Sequence, residues 1–203
     1  MDRIVESGRR REIEDAASSL FHAHGYAGTS VRDIARAVDM QGASLYTHVA
    51  SKQDVLWSIV EPTAARFETA ANAVEAADPG SIVFGPGVHL ISLVRAHVGV
   101  VTADVQRASV FVHEWRALDR GRRDEIARRR DAYESRFRSA IAKGVETGAF
   151  APVDPPLTAA YILTALNGLV TWYRPDGRLT ARAVGDVYAD LTSRAVQSRR
   201  ETS

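Results

Sequence analysis

Residues 41–48 gather side chains that can exchange hydrogen bonds with a partner. Gln41 carries an amide, Ser44 and Thr47 carry hydroxyls, Tyr46 a phenol and His48 an imidazole. Leu45 and Val49, four apart, are the apolar residues of the same stretch. At helical spacing Gly42–Val49 has one side to bury and one to offer. A short helix offering amide, hydroxyl and imidazole groups suits base edges in the major groove of DNA. Lys52, just beyond, stands where a cation can meet a phosphate.

The elements around this stretch can be read from the same rules. Val31, Ile34, Ala35 and Val38 fall on one helical face. Ser30 can cap that helix, with Asp33 three residues on completing a capping box. Asp39 sits where the chain must turn, and Asp tolerates the left-handed conformation better than most residues. Ser51 can cap the following helix. Upstream, Ile13, Ala16, Ala17, Leu20 and Phe21 make an amphipathic stripe that Gly25 ends. The prediction is a three-helix domain over residues 1–50, followed by a second domain over 51–203.

The ordered set Gly25, Thr29, Val31-Arg32-Asp33-Ile34-Ala35, Leu45-Tyr46, His48-Val49 and Lys52 resembles the helix-turn-helix of TetR-family bacterial repressors. The resemblance implies an all-α protein. An N-terminal three-helix DNA-binding domain would precede a C-terminal helical domain for effector binding and dimerisation. It assigns DNA contact to Ser30, Arg32, Gln41, Gly42, Ala43, Ser44, Tyr46, Thr47, His48 and Lys52. Three positions depart from the family pattern. Asp39 replaces the usual turn glycine, Ala43 a frequent Gly or Pro, and Thr47 a frequent aromatic or His. These departures leave the operator sequence open.

Length and composition set the outer bounds. The 203 residues suffice for a large core and one or two domains. There is no cysteine, hence no disulfide framework and no thiolate metal site. The N-terminal residues hold no apolar run of the kind a signal peptide needs. The most apolar segment, Val88–Val101, is interrupted by His89, Arg95 and His97, so no bilayer-spanning stretch is expected. A cytoplasmic protein with no membrane partner is the plain reading. Residues 1–60 hold seven Lys/Arg against eight Asp/Glu, so DNA affinity must come from a few placed cations and hydrogen bonds. Residues 107–143 hold eleven Lys/Arg against six Asp/Glu. Arginine far outnumbers lysine, which points to a GC-rich genome.

Helical periodicity continues through the rest of the chain. A long helix runs from Lys52 through Val74, with Pro62 expected to interrupt and kink it. Residues 78–87 (DPGSIVFGPG) mark a break, and lack the Lys-Ser or Lys-Thr of a phosphate-binding loop. Helices follow over roughly 88–100, 104–118, 121–147, 156–173 and 180–198. The final RRETS is expected to fray. Blocks such as His113-Glu114-Trp115-Arg116, Arg128–Tyr133, Gly144–Phe150, Asn167-Gly168 and Trp172–Pro175 resemble the effector domains of regulators of sterol, fatty-acid and aromatic-acid catabolism. That resemblance implies an acyl-CoA thioester as effector. Each of the aromatics Phe111, Trp115, Tyr133, Phe137, Tyr161 and Trp172 is read first as core packing, and as a set they could also wall a cavity with His89, Arg136 and Asn167. The resemblance also pairs two terminal helices with their twins in a homodimer, through Leu166, Gly168, Leu169, Val184, Val187, Tyr188 and Leu191.

Other chemistry finds little support. There is no HExxH, and His22 and His24 diverge on a helix, so no metal site is predicted. No Gly-x-Ser-x-Gly elbow or nucleophile–base set is present, and no cofactor is expected. The reading is therefore a non-enzymatic repressor that binds a palindromic double-stranded operator as a dimer and is released by a small effector. A multidrug-type ligand sensor is the alternative within that class. A helical small-molecule carrier that does not bind DNA is the alternative outside it.

Overall fold

A computed structural model describes residues 2–77 and 85–197. The side chains of residues 2–7 and of Ala43, most of the 78–87 break and the RRETS terminus lie outside the described residues. All regular structure among the described residues is helical. The order is α1 (Asp2–Gly28), α2 (Val31–Ala37), α3 (Gly42–Leu45), α4 (Lys52–Ala77), α5 (Gly85–Ala103), α6 (Val105–His113), a 3-10 turn at Trp115–Ala117, α7 (Arg120–Glu146), α8 (Pro155–Asn167), α9 (Leu169–Trp172) and α10 (Ala181–Val196). The chain divides into two compact units: residues 1–64 with 106–127, and residues 65–105 with 128–203. Compactness thus draws its line inside α4 rather than at residue 50, and returns a later segment to the first unit.

In the first unit the predicted stripe is the core. Ile13, Ala17 and Phe21 of α1 are buried, as are Ile34, Ala35 and Val38 from α2 and its cap. Gly25 breaks α1 with a φ of 72°, a conformation that glycine alone adopts freely. From α4, Val55, Leu56, Ile59 and Val60 complete the packing. Pro62 does not interrupt α4, which continues as one helix to Ala77. The next hydroxyl, Thr63 Oγ1, donates to the Ile59 carbonyl at 2.6 Å inside that stretch.

The second unit is built on α5, which packs most extensively against α10. By length and composition α5 is in fact apolar enough to cross a bilayer, contrary to the sequence expectation. Three polar residues do not lower its average hydropathy enough to disqualify it. Its apolar stripe, Leu90, Leu93, Val94, Val98 and Val101, is instead buried core of this unit. The Gly144–Phe150 block has a local explanation. Gly148 (φ 72°) lets the chain double back after α7, Phe150 N donates to the Gly144 carbonyl at 2.9 Å, and the Phe150 ring covers Gly144. A Cβ on Gly144 would lie 2.0 Å from that ring.

His97 is buried in this unit, and burial together with the Arg130 charge pushes its pKa down to about 3. Its folded pKa therefore lies below the unfolded value near 6.5. The unfolded chain binds the proton first, so stability is full above pH 6.5 and falls as pH drops toward 3. Urea denaturation between pH 7 and 4 should show this loss, and His97→Phe should flatten its slope by up to about 1.4 kcal/mol per pH unit.

Candidate nucleic-acid interface

The helix-turn-helix is held by the devices its sequence announces. The Ser30 hydroxyl accepts from Asp33 N at 3.1 Å, and the Asp33 carboxylate accepts from Ser30 N at 2.9 Å. The Ser30 hydroxyl also donates to the Asp33 carboxylate at 2.6 Å, and this bond first, with the one from Ser30 N, holds the Asp33 carboxyl below the usual carboxylate range. Ser30 is therefore engaged in capping α2. Asp39, at φ 53°, is the one non-glycine residue with positive φ among the described residues. The turn it makes lets Met40 N reach the Ala35 carbonyl at 2.9 Å.

The third helix is shorter than Gly42–Val49. It is α-helical only to Leu45 and then tightens, with Thr47 N bonding the Ser44 carbonyl at 3.2 Å. The Thr47 hydroxyl donates to the same carbonyl at 2.7 Å while the side chain stays exposed. A β-branched hydroxyl so placed competes with the next regular turn. Leu45 is fully buried and Val49 nearly so. Gln41, Ser44 and Thr47 are exposed, as are Arg32 and Tyr46, the latter at 55%. Val31, Arg32, Gln41, Gly42 and Tyr46 line a cleft between α2 and α3. His48 is half-buried, and its Nδ1 meets no partner among the described residues.

Lys52 is less free than a phosphate ligand would be. Its ammonium donates to the Tyr26 carbonyl and sits 3.9 Å from the centre of the Tyr26 ring. Partial burial pushes its pKa down, opposed by the Glu114 charge. Tyr26 is the focus of a wider clamp. Glu114 Oε2 accepts from Tyr26 N at 3.1 Å, and Gln53 Nε2 donates to the Tyr26 hydroxyl at 2.8 Å. The Gln53 amide also donates to the Ala117 carbonyl at 2.8 Å and accepts from Asp119 N at 3.0 Å. Ser51 caps α4 through Asp54 N at 3.1 Å, while Arg122 pairs with the Asp54 carboxylate at 2.5 Å. Within the first unit, then, residues 114–122 grip the turn before α2 and the start of α4. Tyr26, Gln53 and Glu114 were missed as site residues. Glu114 lay in a recognisable block, but no periodicity tells that an acid 88 residues away holds Tyr26.

The expected effector residues are only partly brought together. Phe111 and Trp115 fall in the first compact unit, and the Arg116 guanidinium lies 4.5 Å from the Trp115 ring. Tyr161 and Trp172 are 65% and 45% exposed, so neither walls a buried cavity of the second unit. Asn167 is half-buried at the end of α8. What remains is a buried pair, Tyr133 and Phe137, to which Phe67 and His97 must be added, while His89 is buried on α5 two turns before His97. Arg138 pairs with Glu134 on its own helix, but two arginines of α7 pair outside it. Arg129 bonds Glu68 at 2.6 Å, and Arg136 Nη1 lies 3.1 Å from Glu75, an ion-pair contact without hydrogen-bond geometry.

The expected dimer residues also divide. Leu166, Leu169 and Val184 are buried within the protomer, because α8, α9 and α10 turn those positions onto α5. Gly168 follows α8, where a Cβ would come 3.2 Å from the Ala165 carbonyl, so its smallness serves the local chain. Val187 and Leu191 are exposed, with Tyr188 half-buried beneath a stacked Trp172.

A helix-turn-helix with an exposed polar face, joined to a helical second unit, defines a DNA-binding transcription regulator. Residues 13–59 match the tetR family of bacterial regulatory proteins, and residues 88–196 match the tetracyclin repressor-like C-terminal domain. The HTH-type transcriptional repressor KstR2 of Mycobacterium tuberculosis is 29% identical over 199 residues, spanning 93% of this chain and 94% of that one. The TetR-family regulator PfmR of Thermus thermophilus is 30% identical with a TM-score of 0.77, covering 90% and 97% of the two chains. AibR, solved with isovaleryl coenzyme A and operator DNA, is 27% identical with a TM-score of 0.70 over the same shares. The chain belongs to the TetR family of bacterial transcription regulators.

Two substitutions test this architecture. Asp39→Gly removes the left-handed penalty and should raise the urea midpoint by the equivalent of about 0.5–1 kcal/mol, whereas Asp39→Val should lower it by more than about 1 kcal/mol. Glu114→Ala leaves the Tyr26 N–H without its acceptor and should cost about 1–3 kcal/mol of stability. It should also weaken operator binding in a fluorescence anisotropy titration, although Glu114 lies outside the helix-turn-helix.

Proposed function

We propose that this regulator is a homodimeric repressor that holds a palindromic operator and releases it on binding an acyl-CoA thioester. The observation that carries the DNA half is the exposed face of Gln41, Ser44 and Tyr46 over a buried Leu45. Gln41 and Ser44 read bases, and Tyr46 and Arg32 meet phosphates. Gly42 lets the backbone approach the DNA, and Ala43 and His48 flank that contact. Ser30 positions α2 through its cap, and Lys52 keeps donors beyond the one given to Tyr26. Among the described residues Arg32 has no ion-pair partner, which leaves its charge for the DNA backbone. Arg32→Ala should weaken binding across sequences and lower the salt slope by about 0.9. A slope unchanged in the variant contradicts this docking.

The dimer half is supported by the second unit's surface. Leu157, Tyr161, Trp172, Val187 and Leu191 are large apolar residues left exposed on α8, α9 and α10. A two-fold dimer uses one such patch twice, and sets two reading helices for half-sites about 34–36 Å apart. Leu191→Glu should yield monomers in sedimentation velocity that lose tight operator binding. Leu169→Glu should instead unfold the unit, because Leu169 is core.

The effector half rests on similarity to AibR, whose solved complex contains isovaleryl coenzyme A. A ligand favouring the released geometry at about 100 times its Kd supplies roughly 2.7 kcal/mol toward it. Arg129 and Arg136 already have acidic partners, so the exposed Arg128 is the cation of this run best placed for a CoA phosphate. That pairing also favours the second reading, a sensor of uncharged or free-acid ligands of the multidrug type. Titrating DNA release with octanoyl-CoA and with octanoate decides: release by the thioester alone supports the first reading, and equal release supports the second. No catalytic step is part of either reading, and the protein acts in the cytoplasm, where its operator lies.

A further inference from the structure

The second unit contains polar capacity that its own fold does not use. His97 is 2% exposed on α5, walled by Phe67 with ring centres 4.7 Å apart. Its Nδ1 lies 3.2 Å from the Tyr133 hydroxyl, while its Nε2 is buried with no partner among the described residues. Buried polar nitrogens are nearly always paired, so an unpaired one calls for a partner. Two turns earlier on the same buried stripe, His89 Nδ1 is also unpaired among the described residues. Eight helical residues separate the two histidines by about 12 Å.

The proton on the imidazole can be placed by counting. If the Tyr133 hydroxyl donates to Nδ1, the ring proton is on Nε2 and only that N–H is left unpaired. In the other tautomer the phenol proton and the Nε2 lone pair would both be unpaired. Burial keeps this imidazole neutral and the phenol protonated, so neither carries a charge to pair with an ionic ligand. The surroundings are aromatic: Tyr133 has ring centres 5.6 Å from both Phe67 and Phe137. The Arg130 and Arg136 charges act on His97 and Tyr133, but a carboxylate brought here would still lose its hydration against a neutral imidazole, a neutral phenol and aromatic rings. An uncharged acceptor oxygen on an apolar body meets the donor without that penalty.

We infer that His97 is the polar anchor of the effector site, its Nε2–H donating to a carbonyl oxygen carried on an otherwise apolar ligand. The inference rests on the reading that this unit holds the effector, and it specifies that effector's chemistry. Tyr133 is the positioning residue that fixes the tautomer, and Phe67 and Phe137 hold the ring plane.

The test uses the full-length protein with two shape-matched probes, acetophenone and ethylbenzene, which differ by one carbonyl oxygen. With histidine labelled in its ring nitrogens, acetophenone should shift the His97 Nε2–H resonance and bind about tenfold more tightly than ethylbenzene. His97→Phe should abolish the preference, and His97→Gln, which retains a donor, should restore part of it. Equal binding of both probes to wild type, with an unmoved His97 resonance, overturns the inference without depending on any variant folding. DNA release by octanoyl-CoA, measured alongside, separates the two ideas. Release with no acetophenone preference keeps the acyl-CoA reading and rejects the anchor. An acetophenone preference without release does the reverse.

Discussion

A helix of four residues has no stability of its own, because forming its first turn costs more than one hydrogen bond returns. The presentation of Gln41, Ser44 and Tyr46 therefore depends on burial of Leu45 and Val49 beneath them. Those two side chains find a core only because α1 and α4 bring Phe21, Leu56 and Ile59 into the same unit. The Ser30–Asp33 box and the left-handed Asp39 set the direction from which α3 enters. Each device is small, and together they leave α3 no alternative.

The same logic explains why Tyr26 is so heavily held. It lies just past the glycine break in α1, where the chain leaves one helix and prepares for the next. Without the Glu114 carboxylate and the Gln53 amide, its N–H and hydroxyl would be half-buried and unpaired. The segment 114–122 is thus part of the unit that carries the reading face, though it is far away in the sequence. A change in that segment has a direct physical route to α2 and α4 within one compact unit.

Charge follows a similar pattern. The arginine surplus of residues 107–143 suggests a basic patch when read in sequence alone. In the fold, Arg107 pairs with Asp15, Arg122 with Asp54, Arg129 with Glu68 and Arg136 with Glu75. The first two pairs lie in the first unit and the last two in the second. Local neutralisation of this kind contributes modestly to stability where exposed, and mainly removes these cations from service elsewhere.

The sequence by itself determined the all-helical class, the helix-turn-helix, the capping box, the Asp39 turn, the glycine stop of α1 and the polar face over Leu45. These are local: each depends on residues three or four apart, or on the conformational tolerance of one residue, and such rules need no knowledge of partners. Family resemblance added the effector and dimer roles. Tertiary structure decided the rest. It turned Leu166, Leu169 and Val184 inward and left Tyr161, Trp172 and Leu191 outward, because an amphipathic stripe does not say which neighbour will cover it. It buried the apolar α5 as core, engaged Lys52 with Tyr26, and assigned Phe111 and Trp115 to the first unit. It also placed His97 against Tyr133, 36 residues apart, with one nitrogen unpaired. Such facts belong to pairs of residues brought together by the packing of whole helices, and no local spacing contains them.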